Sequence, residues 1–340
     1  MNKKVLVTGG AGYIGAHTVV ELVQAGYEVV IVDNLSRSDK SLLNGLKKII
    51  GKEVSFNEGD CCDKKFMTGV FQSAGPFAAV LHFAAYKSVG ESVEKPLLYY
   101  HNNLSSLITL LETMLENEVN DLIFSSSCTV YGQPDQIPVN EEAPFKKAES
   151  AYGSTKQMSE RILEDIAPKG LRIISLRYFN PIGAHPSALL GEIPLGTPNN
   201  LVPYITQTAA GIRDKVTVFG DDYDTPDGSC IRDYIHVVDV GDAHVKALQY
   251  LESRNDEYLY EVFNLGTGVG VSVLQVLKKF IEVTHVNVPF VIGARRSGDV
   301  EKVYADPAKV NKTLGWKTKF SIDESLLHAW QWEKKLRRIE

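Results

Sequence analysis

The chain predicts an α/β fold, a doubly wound parallel sheet followed by a smaller C-terminal α/β domain. Three observations predict it. Apolar, β-branched runs alternate with helical patterns through the first half of the sequence. A glycine turn, Gly9-Gly10-Ala11-Gly12-Tyr13-Ile14-Gly15, joins the first strand-like run to the first helix-like one. The residues with chemistry to offer fall just after strand-like runs, where sheets of this kind bind ligands.

Residues 4–8 read as a short buried strand, and the turn after them opens an amphipathic stretch over about 13–25. Strand, glycine turn and helix in that order form the context of a dinucleotide site, so the architecture is Rossmann-type. The glycines permit a tight turn and let a pyrophosphate approach backbone N–H groups at the positive helix end. A second strand over 28–32 ends at Asp33. A carboxylate there can accept hydrogen bonds from both adenosine ribose hydroxyls and would repel a 2′-phosphate, which favours NAD over NADP. Further strands are predicted at 54–57, 79–83, 122–126 and 172–177, with helices at about 39–50, 65–73, 96–118 and 151–166. Such alternation implies a parallel sheet covered on both faces. After Asn180 the pattern changes. Residues 181–234 are rich in Gly, Pro, Asn and Asp and predict irregular structure around one helix at about 201–212. Regular elements return at 240–251, 262–265, 272–283, 307–314 and 326–335, with Asp306 as an N-cap and Pro307 at the first helical position. The predicted division is an NAD-binding domain over 1–180 and a substrate domain over 181–340, the chain crossing back to the first around 238–265.

Composition narrows the class. A chain of 340 residues with 44% apolar and 23% charged residues is that of an ordinary globular protein. A net charge of −6 gives no footprint for nucleic acid. No apolar run approaches the roughly 20 residues that span a bilayer. The basic start Met1-Asn2-Lys3-Lys4 precedes an apolar run too short for a signal peptide, so no membrane partner and a cytoplasmic location are expected. The four cysteines, Cys61, Cys62, Cys128 and Cys230, lack a zinc spacing and are expected as reduced thiols. The eight histidines show no paired metal spacing, and no metal is expected.

Tyr152 and Lys156 stand four residues apart, on one face of a predicted helix. An ammonium close to a phenol favours the phenolate and lowers the tyrosine pKa from its usual value near ~10. A tyrosine so tuned removes a proton from a sugar hydroxyl at neutral pH. Ser125-Ser126-Ser127 ends the strand before this helix, and Ser127 is the expected relay because the chain turns immediately after it.

Together, Gly9–Gly15, Asp33, Ser127, Tyr152 and Lys156 resemble the short-chain dehydrogenase/reductase superfamily in its extended form. The segments Arg177-Tyr178-Phe179-Asn180-Pro181-Ile182-Gly183-Ala184-His185-Pro186, Pro198-Asn199-Asn200-Leu201, Arg232-Asp233-Tyr234-Ile235-His236-Val237 and Arg295-Arg296-Ser297-Gly298-Asp299 further resemble the UDP-glucose 4-epimerase family, in the expected order over nearly the whole chain. That resemblance implies Tyr152 as the base, Lys156 on the nicotinamide ribose and Ser127 as the bridge to the sugar O4. It implies NAD contacts from Gly9, Gly12, Tyr13, Ile14, Gly15, Asp33, Asn34, Asp60, Cys61, Phe83, Ala84, Lys87, Asn102 and Tyr178. It places UDP-glucose or UDP-galactose against Lys87, Asn180, Asn199, Asn200, Leu201, Phe219, Arg232, Tyr234, Arg296, Asp299 and Val303. In that scheme the arginines clamp the diphosphate and Asp299 holds the uridine ribose, roles that suit guanidinium forks and a carboxylate facing a diol. The implied cycle takes the C4 hydride to NAD, turns the 4-keto sugar over and returns the hydride to the other face. A homodimer through a four-helix interface, built from the helices predicted at 96–118 and 151–166, is implied as well.

Two positions depart from the family pattern. Tyr86 is bulkier than the family residue before the lysine. Val303, small at a position that gates the sugar pocket, suggests that 2-acetamido sugars also enter. Other nucleotide-sugar enzymes of the superfamily stay open as alternatives: a UDP-N-acetylglucosamine 4-epimerase, a UDP-glucuronate decarboxylase and a 4,6-dehydratase. The dehydratase lacks its catalysts, because Cys128-Thr129 stands where elimination needs an Asp-Glu pair. The remaining alternative, a non-catalytic NAD-binding regulator, has no need for Ser127, Tyr152 and Lys156 together.

Overall fold

The computed structural model of the chain describes residues 3–296 and 299–339. Met1 and Asn2 of the basic start, and Ser297 and Gly298 of the Arg295–Asp299 motif, lie outside the described residues. The first half runs β1 (Lys4–Thr8), α1 (Tyr13–Gln24), β2 (Glu28–Asp33), α2 (Ser41–Ile50), β3 (Ser55–Glu58), α3 (Lys64–Ala74), β4 (Ala79–His82), α4 (Val89–Glu94), α5 (Pro96–Glu116), β5 (Asp121–Ser127), α6 (Ala151–Ile166) and β6 (Arg172–Tyr178). The second half runs β7 (Asn180–Ile182), α7 (Leu201–Ala209), β8 (Val216–Phe219), β9 (Ile231–His236), α8 (Val237–Glu252), β10 (Leu259–Leu265), β11 (Gly270–Ser272), α9 (Val273–Thr284), β12 (Phe290–Gly293), β13 (Lys302–Val303), α10 (Ala308–Leu314) and α11 (Ile322–Arg337).

Strands of the first half read as continuous apolar runs because both faces of their sheet are covered. Alternate residues go to opposite sides. Val5 and Val7 pack with α1, α2, α8 and α10, whereas Leu6 packs with α3, α5 and α6. The sheet has seven parallel strands in the order β10-β6-β5-β4-β1-β2-β3. The order reverses between β1 and β4, and the crevice above such a switch point is where ligands bind. Local signals set the helix starts. The Asp63 carboxylate accepts from Phe66 N–H, the Ser150 hydroxyl from Gly153 N–H, and Ser321 forms a capping box with Glu324.

A second, smaller layer carries β11-β9-β13 with β7 on β9, and a separate pair β8–β12. Its core gathers Val202, Ile205, Tyr234, Phe280, Leu326 and Trp330. The chain passes from the large sheet at Tyr178 into the small one at Asn180. It returns at His236, whose ring caps α8, and α8 packs on α1 while β10 pairs with β6. Among the described residues no helix is long and apolar enough to cross a membrane.

Several boundaries differ from expectation. Residues 181–234, read as irregular around one helix, contain β7, β8 and β9. These strands are short, and their partners lie far along the chain, β9 for β7, β12 for β8, and β11 and β13 for β9, so no local period marks them. The helix at 201–212 stops at Ala209. Pro307 is the N-cap itself rather than the first helical residue, and the Asp306 carboxylate accepts from Ala308 N–H at 2.9 Å. Helix α4 lies in a stretch with no predicted helix.

Candidate active site

The β1–α1 turn is built for close approach. Gly9 has φ +71°, and a Cβ there would meet Ala84 N at 2.7 Å. A Cβ on Gly15 would meet the Gly9 carbonyl oxygen at 2.3 Å. Gly12 caps α1 without a side chain, so the first-turn N–H groups of Tyr13, Ile14 and Gly15 point outward with neither an intrahelical partner nor a capping side chain. The turn thus offers unpaired donors at a positive helix end, which is what a pyrophosphate needs.

Asp33 is buried at the end of β2 and is oriented by its own loop. Its Oδ2 accepts from Ala11 N–H at 3.1 Å, and its Oδ1 from Leu35 N–H and Ser38 Oγ at 2.9 and 2.8 Å. Asn34 donates to Asp60 at 3.2 Å, Asp60 accepts from Cys62 N–H, and the Cys62 thiol donates to the Asn102 carbonyl oxygen at 3.6 Å. Asn34, Asp60 and Asn102 therefore line one side of the crevice. Cys61 has its side chain in the core beneath α3, where burial pushes the thiol pKa up. Phe83 packs on the His244 ring at 4.7 Å. Tyr178 is buried with its hydroxyl on His244 Nε2 at 2.6 Å, so that oxygen serves the core.

At the other side of the switch point, Lys87 Nζ stands 2.9 Å from Glu192 and 5.7 Å from the centre of the Tyr13 ring. Glu192 also accepts from Asn200 at 2.9 Å, and Asn199 donates to Ser88 Oγ at 3.1 Å. These bonds bring the loop before α7, which ends at Leu201, across the cleft. Sequence reasoning missed Glu192, which stands among Gly and Pro with no periodic signal. Tyr86 acquires a structural account. Its ring lies under the Arg37 guanidinium at 4.5 Å and edge-on to Tyr99, and its backbone exchanges two hydrogen bonds with Asn103.

Helix α6 presents Tyr152 and Lys156 to the end of β5. Lys156 Nζ donates to the Ser125 carbonyl oxygen at 2.6 Å, lies 4.7 Å from the Phe124 ring centre and 5.9 Å from that of Tyr152. The Ser127 hydroxyl lies beside the Tyr152 phenol. The expected lowering of the Tyr152 pKa does not occur. Tyr152 is half-buried, and desolvation of its phenol pushes it up to about 12, with a Ser127 hydrogen bond pulling the other way. Burial also pulls Lys156 down to about 8, opposed by Glu160. Spacing put the pair on one face, but desolvation outweighs the pairing, and the ammonium is satisfied by a carbonyl and a ring rather than by the phenolic oxygen.

A third cluster faces the same cleft from the small sheet. Arg296 Nη2 reaches Asp299 at 2.6 Å, Arg232 lies 3.8 Å from the same carboxylate, and Arg296 covers the Phe219 ring at 5.6 Å. Val303 pairs with Arg232 between β13 and β9, and Asn180 with Tyr234 between β7 and β9. The buried Asp233 carboxylate fixes this cluster. It accepts from Thr267 N–H and Oγ1, Gly268 N–H and Ala305 N–H. Two guanidinium groups and one carboxylate, Arg232 on β9 with Arg296 and Asp299 in the loop before β13, suit a diphosphate and a ribose diol.

The match with known proteins is extensive. Residues 5–266 match the model of the NAD dependent epimerase/dehydratase family. The UDP-glucose 4-epimerase of Bacillus subtilis (strain 168) is 47% identical over 331 residues, covering 97% of this chain and 96% of the relative. A crystal structure of UDP-glucose-4-epimerase from Stenotrophomonas maltophila with bound NAD and formylated UDP-arabinopyranose superposes with a TM-score of 0.95 at 48% identity, covering 100% of both chains. The Bifidobacterium longum enzyme in complex with NAD+ and UDP gives a TM-score of 0.95 at 44% identity, covering 99% of this chain and 100% of that one. With its glycine turn, its Tyr152–Lys156 pair and relatives matched end to end, the chain belongs to the NAD dependent epimerase/dehydratase family, on the UDP-glucose 4-epimerase branch.

Proposed function

We propose that this chain interconverts UDP-galactose and UDP-glucose with NAD as a resident cofactor. The observation that carries the reading is the convergence on one cleft of a proton-transfer pair, Tyr152 and Lys156, with an arginine–carboxylate cluster, Arg232, Arg296 and Asp299. NAD is held by the β1–α1 turn, Asp33, Asn34, Asp60, Asn102, Lys87 and Lys156, and when bound it supplies the acceptor and donor for the C4 hydride and a positive charge near the phenol. Tyr152 takes the proton from O4 and gives it back on the return step, and Ser127 relays between the two oxygens. A phenol raised by burial becomes a base when positive charge stands next to it, so the Lys156 ammonium and the cofactor act on Tyr152 together. Arg232, Arg296 and Asp299 hold the nucleotide, so the firm charged grip falls on the UDP part of the substrate rather than on its sugar. The 4-keto sugar is therefore free to turn over about its phosphate linkage before the hydride returns.

Val303, small and buried beside Arg232, supports admission of a 2-acetamido group as well. The four-helix homodimer is supported by an uncovered apolar stripe on α5, where Leu97 is 80% and Ile108 44% exposed, flanked by Val93 of α4 and Met158 of α6.

The direct test incubates the purified protein with UDP-galactose without added NAD and follows UDP-glucose by chromatography. Conversion to an equilibrium mixture is expected, and UDP-N-acetylglucosamine is expected to be turned over in the same assay. No product from UDP-galactose, with or without NAD, overturns the main reading, and no turnover of the acetamido sugar alone overturns only the wider scope.

A further inference from the structure

We propose that the buried Glu160–Arg177 ion pair is the positioning unit of the catalytic helix: with Ser126 it locks α6 to the ends of β6 and β5 and sets a fixed negative charge one turn from Lys156, which keeps that residue an ammonium beside Tyr152. This rests on the epimerase reading above. Tyr152, Lys156 and Glu160 repeat every four residues on one face of α6. The three serines that end β5 meet them in turn. The Ser125 carbonyl oxygen accepts from Lys156 at 2.6 Å, the Ser126 hydroxyl donates to Glu160 at 2.5 Å, and the Ser127 hydroxyl adjoins Tyr152.

Glu160 and Arg177 are only 2% and 4% exposed, so both charges have left water. A buried ion pair is a poor source of stability, and a well-packed apolar pair of the same volume is often as stable. What this network supplies instead is direction. Arg177 Nε and Nη2 donate to the Glu160 oxygens at 2.9 and 2.6 Å, Nη1 donates to Tyr131 Oη at 2.8 Å, and Tyr131 donates to Asn264 at 2.7 Å. Tyr260 reaches Glu160 at 3.4 Å. Residues from β5, α6, β6 and β10 are thereby tied to one carboxylate.

The titratable groups around Lys156 are few. Helix α6 contributes Tyr152 and Glu160, β4 contributes His82, β6 contributes Arg177 and Tyr178, and the turn after β5 contributes Cys128. His82 is buried, hydrogen-bonded to Thr8, and pulled down to about 3, so it stays neutral. Burial pushes the Cys128 thiol up to about 12 and the Tyr178 phenol up as well, so both stay protonated. Arg177 adds positive charge, which leaves Glu160 as the carboxylate that favours the Lys156 ammonium. The sign of the effect follows. Burial favours the neutral amine, Glu160 opposes burial, and removing the carboxylate lets Lys156 lose its proton at lower pH. Without that ammonium the Tyr152 phenolate is no longer favoured, and turnover fails at lower pH.

The test uses the full chain with its bound NAD in three forms, wild type, Glu160→Gln, and the double variant Glu160→Gln with Arg177→Met, which removes both buried charges and keeps the site filled if the single variant does not fold. Lys156 is titrated by NMR of [13Cε]lysine, its resonance assigned with Lys156→Arg, and kcat and KM are measured against pH. In Glu160→Gln Lys156 is expected to bind its proton about tenfold more weakly, and in the double variant, which also removes the opposing Arg177 charge, about threefold more weakly, because Glu160 is the nearer of the two. The alkaline limb of kcat is expected to move down by the same amount, while KM for the UDP-sugar stays within roughly twofold. Glu160→Asp, which keeps the charge, is expected to retain the wild-type limb. A folded variant whose Lys156 titration and alkaline limb match wild type, with only a lower plateau, reduces the pair to a structural role and overturns the proposal. If the wild type itself fails to epimerise, the functional reading falls, while the Lys156 titration still decides the positioning role.

Discussion

Burial drives the two reacting side chains of the cleft floor toward neutrality from opposite sides, Tyr152 up to about 12 and Lys156 down to about 8. At pH 7 the phenol holds its proton and most of the lysine remains charged. A neutral phenol in a partly desolvated site yields its proton more readily when positive charge stands next to it, which would couple the proposed base to the cofactor. Tyr152→Phe is therefore expected to lower kcat by roughly 10²- to 10⁴-fold, the range of general acid–base catalysis. NAD should remain bound at the wild-type stoichiometry, because the turn and Asp33 that hold it are untouched. Near-normal turnover in this variant would end the assignment of the base. The identity of the pair was readable from its spacing. Its protonation was not, because desolvation depends on everything packed around α6 and no spacing records it. Tyr86 shows the same limit, since nothing near it in the chain announces that Arg37 will cover its ring.

Among the elements, the β1–α1 unit carries the sharpest constraint. Gly15 sits on the first turn of α1 with no room beyond its Cα, so Gly15→Ala must move either the turn or the helix away from Gly9. The N–H groups that would bind a pyrophosphate then lose their alignment. NAD released by acid from the purified variant is expected to fall at least roughly tenfold per chain relative to wild type, a loss in keeping with a displaced helix-end anion site. An unchanged content would mean that the turn does not hold the pyrophosphate. Most elements of the first half were visible in the sequence because β1, β2, β4, β5 and β6 are buried on both faces and the longer helices span enough turns to show their period, whereas the six-residue α4 does not. Strands β7, β8, β9 and β13 were hidden. They have two to six residues each, and their identity rests on partners more than twenty positions away.

At the scale of the whole molecule, the cleft exists only because two layers meet. The large sheet supplies the turn, Asp33, Ser127, Tyr152 and Lys156, while the small one supplies Arg232 and Val303, with Arg296 and Asp299 in the loop before β13. The stretch through α8 and β10 returns the chain to the large sheet and ties the layers together. On the outer side, α5 leaves Leu97, Ile108 and Leu115 in contact with water on one face. A stripe of that kind fits the homodimer proposed above. Sedimentation equilibrium of the wild type is expected to give twice the 37.6 kDa chain mass. The double variant Leu97→Glu with Ile108→Glu is expected to run as the single chain, with association weakened at least roughly 10³-fold by the charges buried at the interface. A wild type that sediments as a monomer at micromolar concentration would rule out the four-helix interface.

By itself, the sequence determined the parallel sheet and the strand, glycine turn and helix that open it, and pointed to Asp33 and the Tyr152–Lys156 pair as site residues, because each is a local pattern whose physics acts within a few residues. The second half added its motifs to that reading through resemblance, without revealing the strands that carry them. Only the tertiary structure decided that Arg232 and Arg296 share Asp299, that Glu192 gathers Lys87 and Asn200, and that Glu160 pairs with Arg177 beneath Lys156. Most of these contacts join elements that only the fold brings together, and the Glu160–Arg177 pair is in addition taken out of water, neither of which a linear pattern encodes.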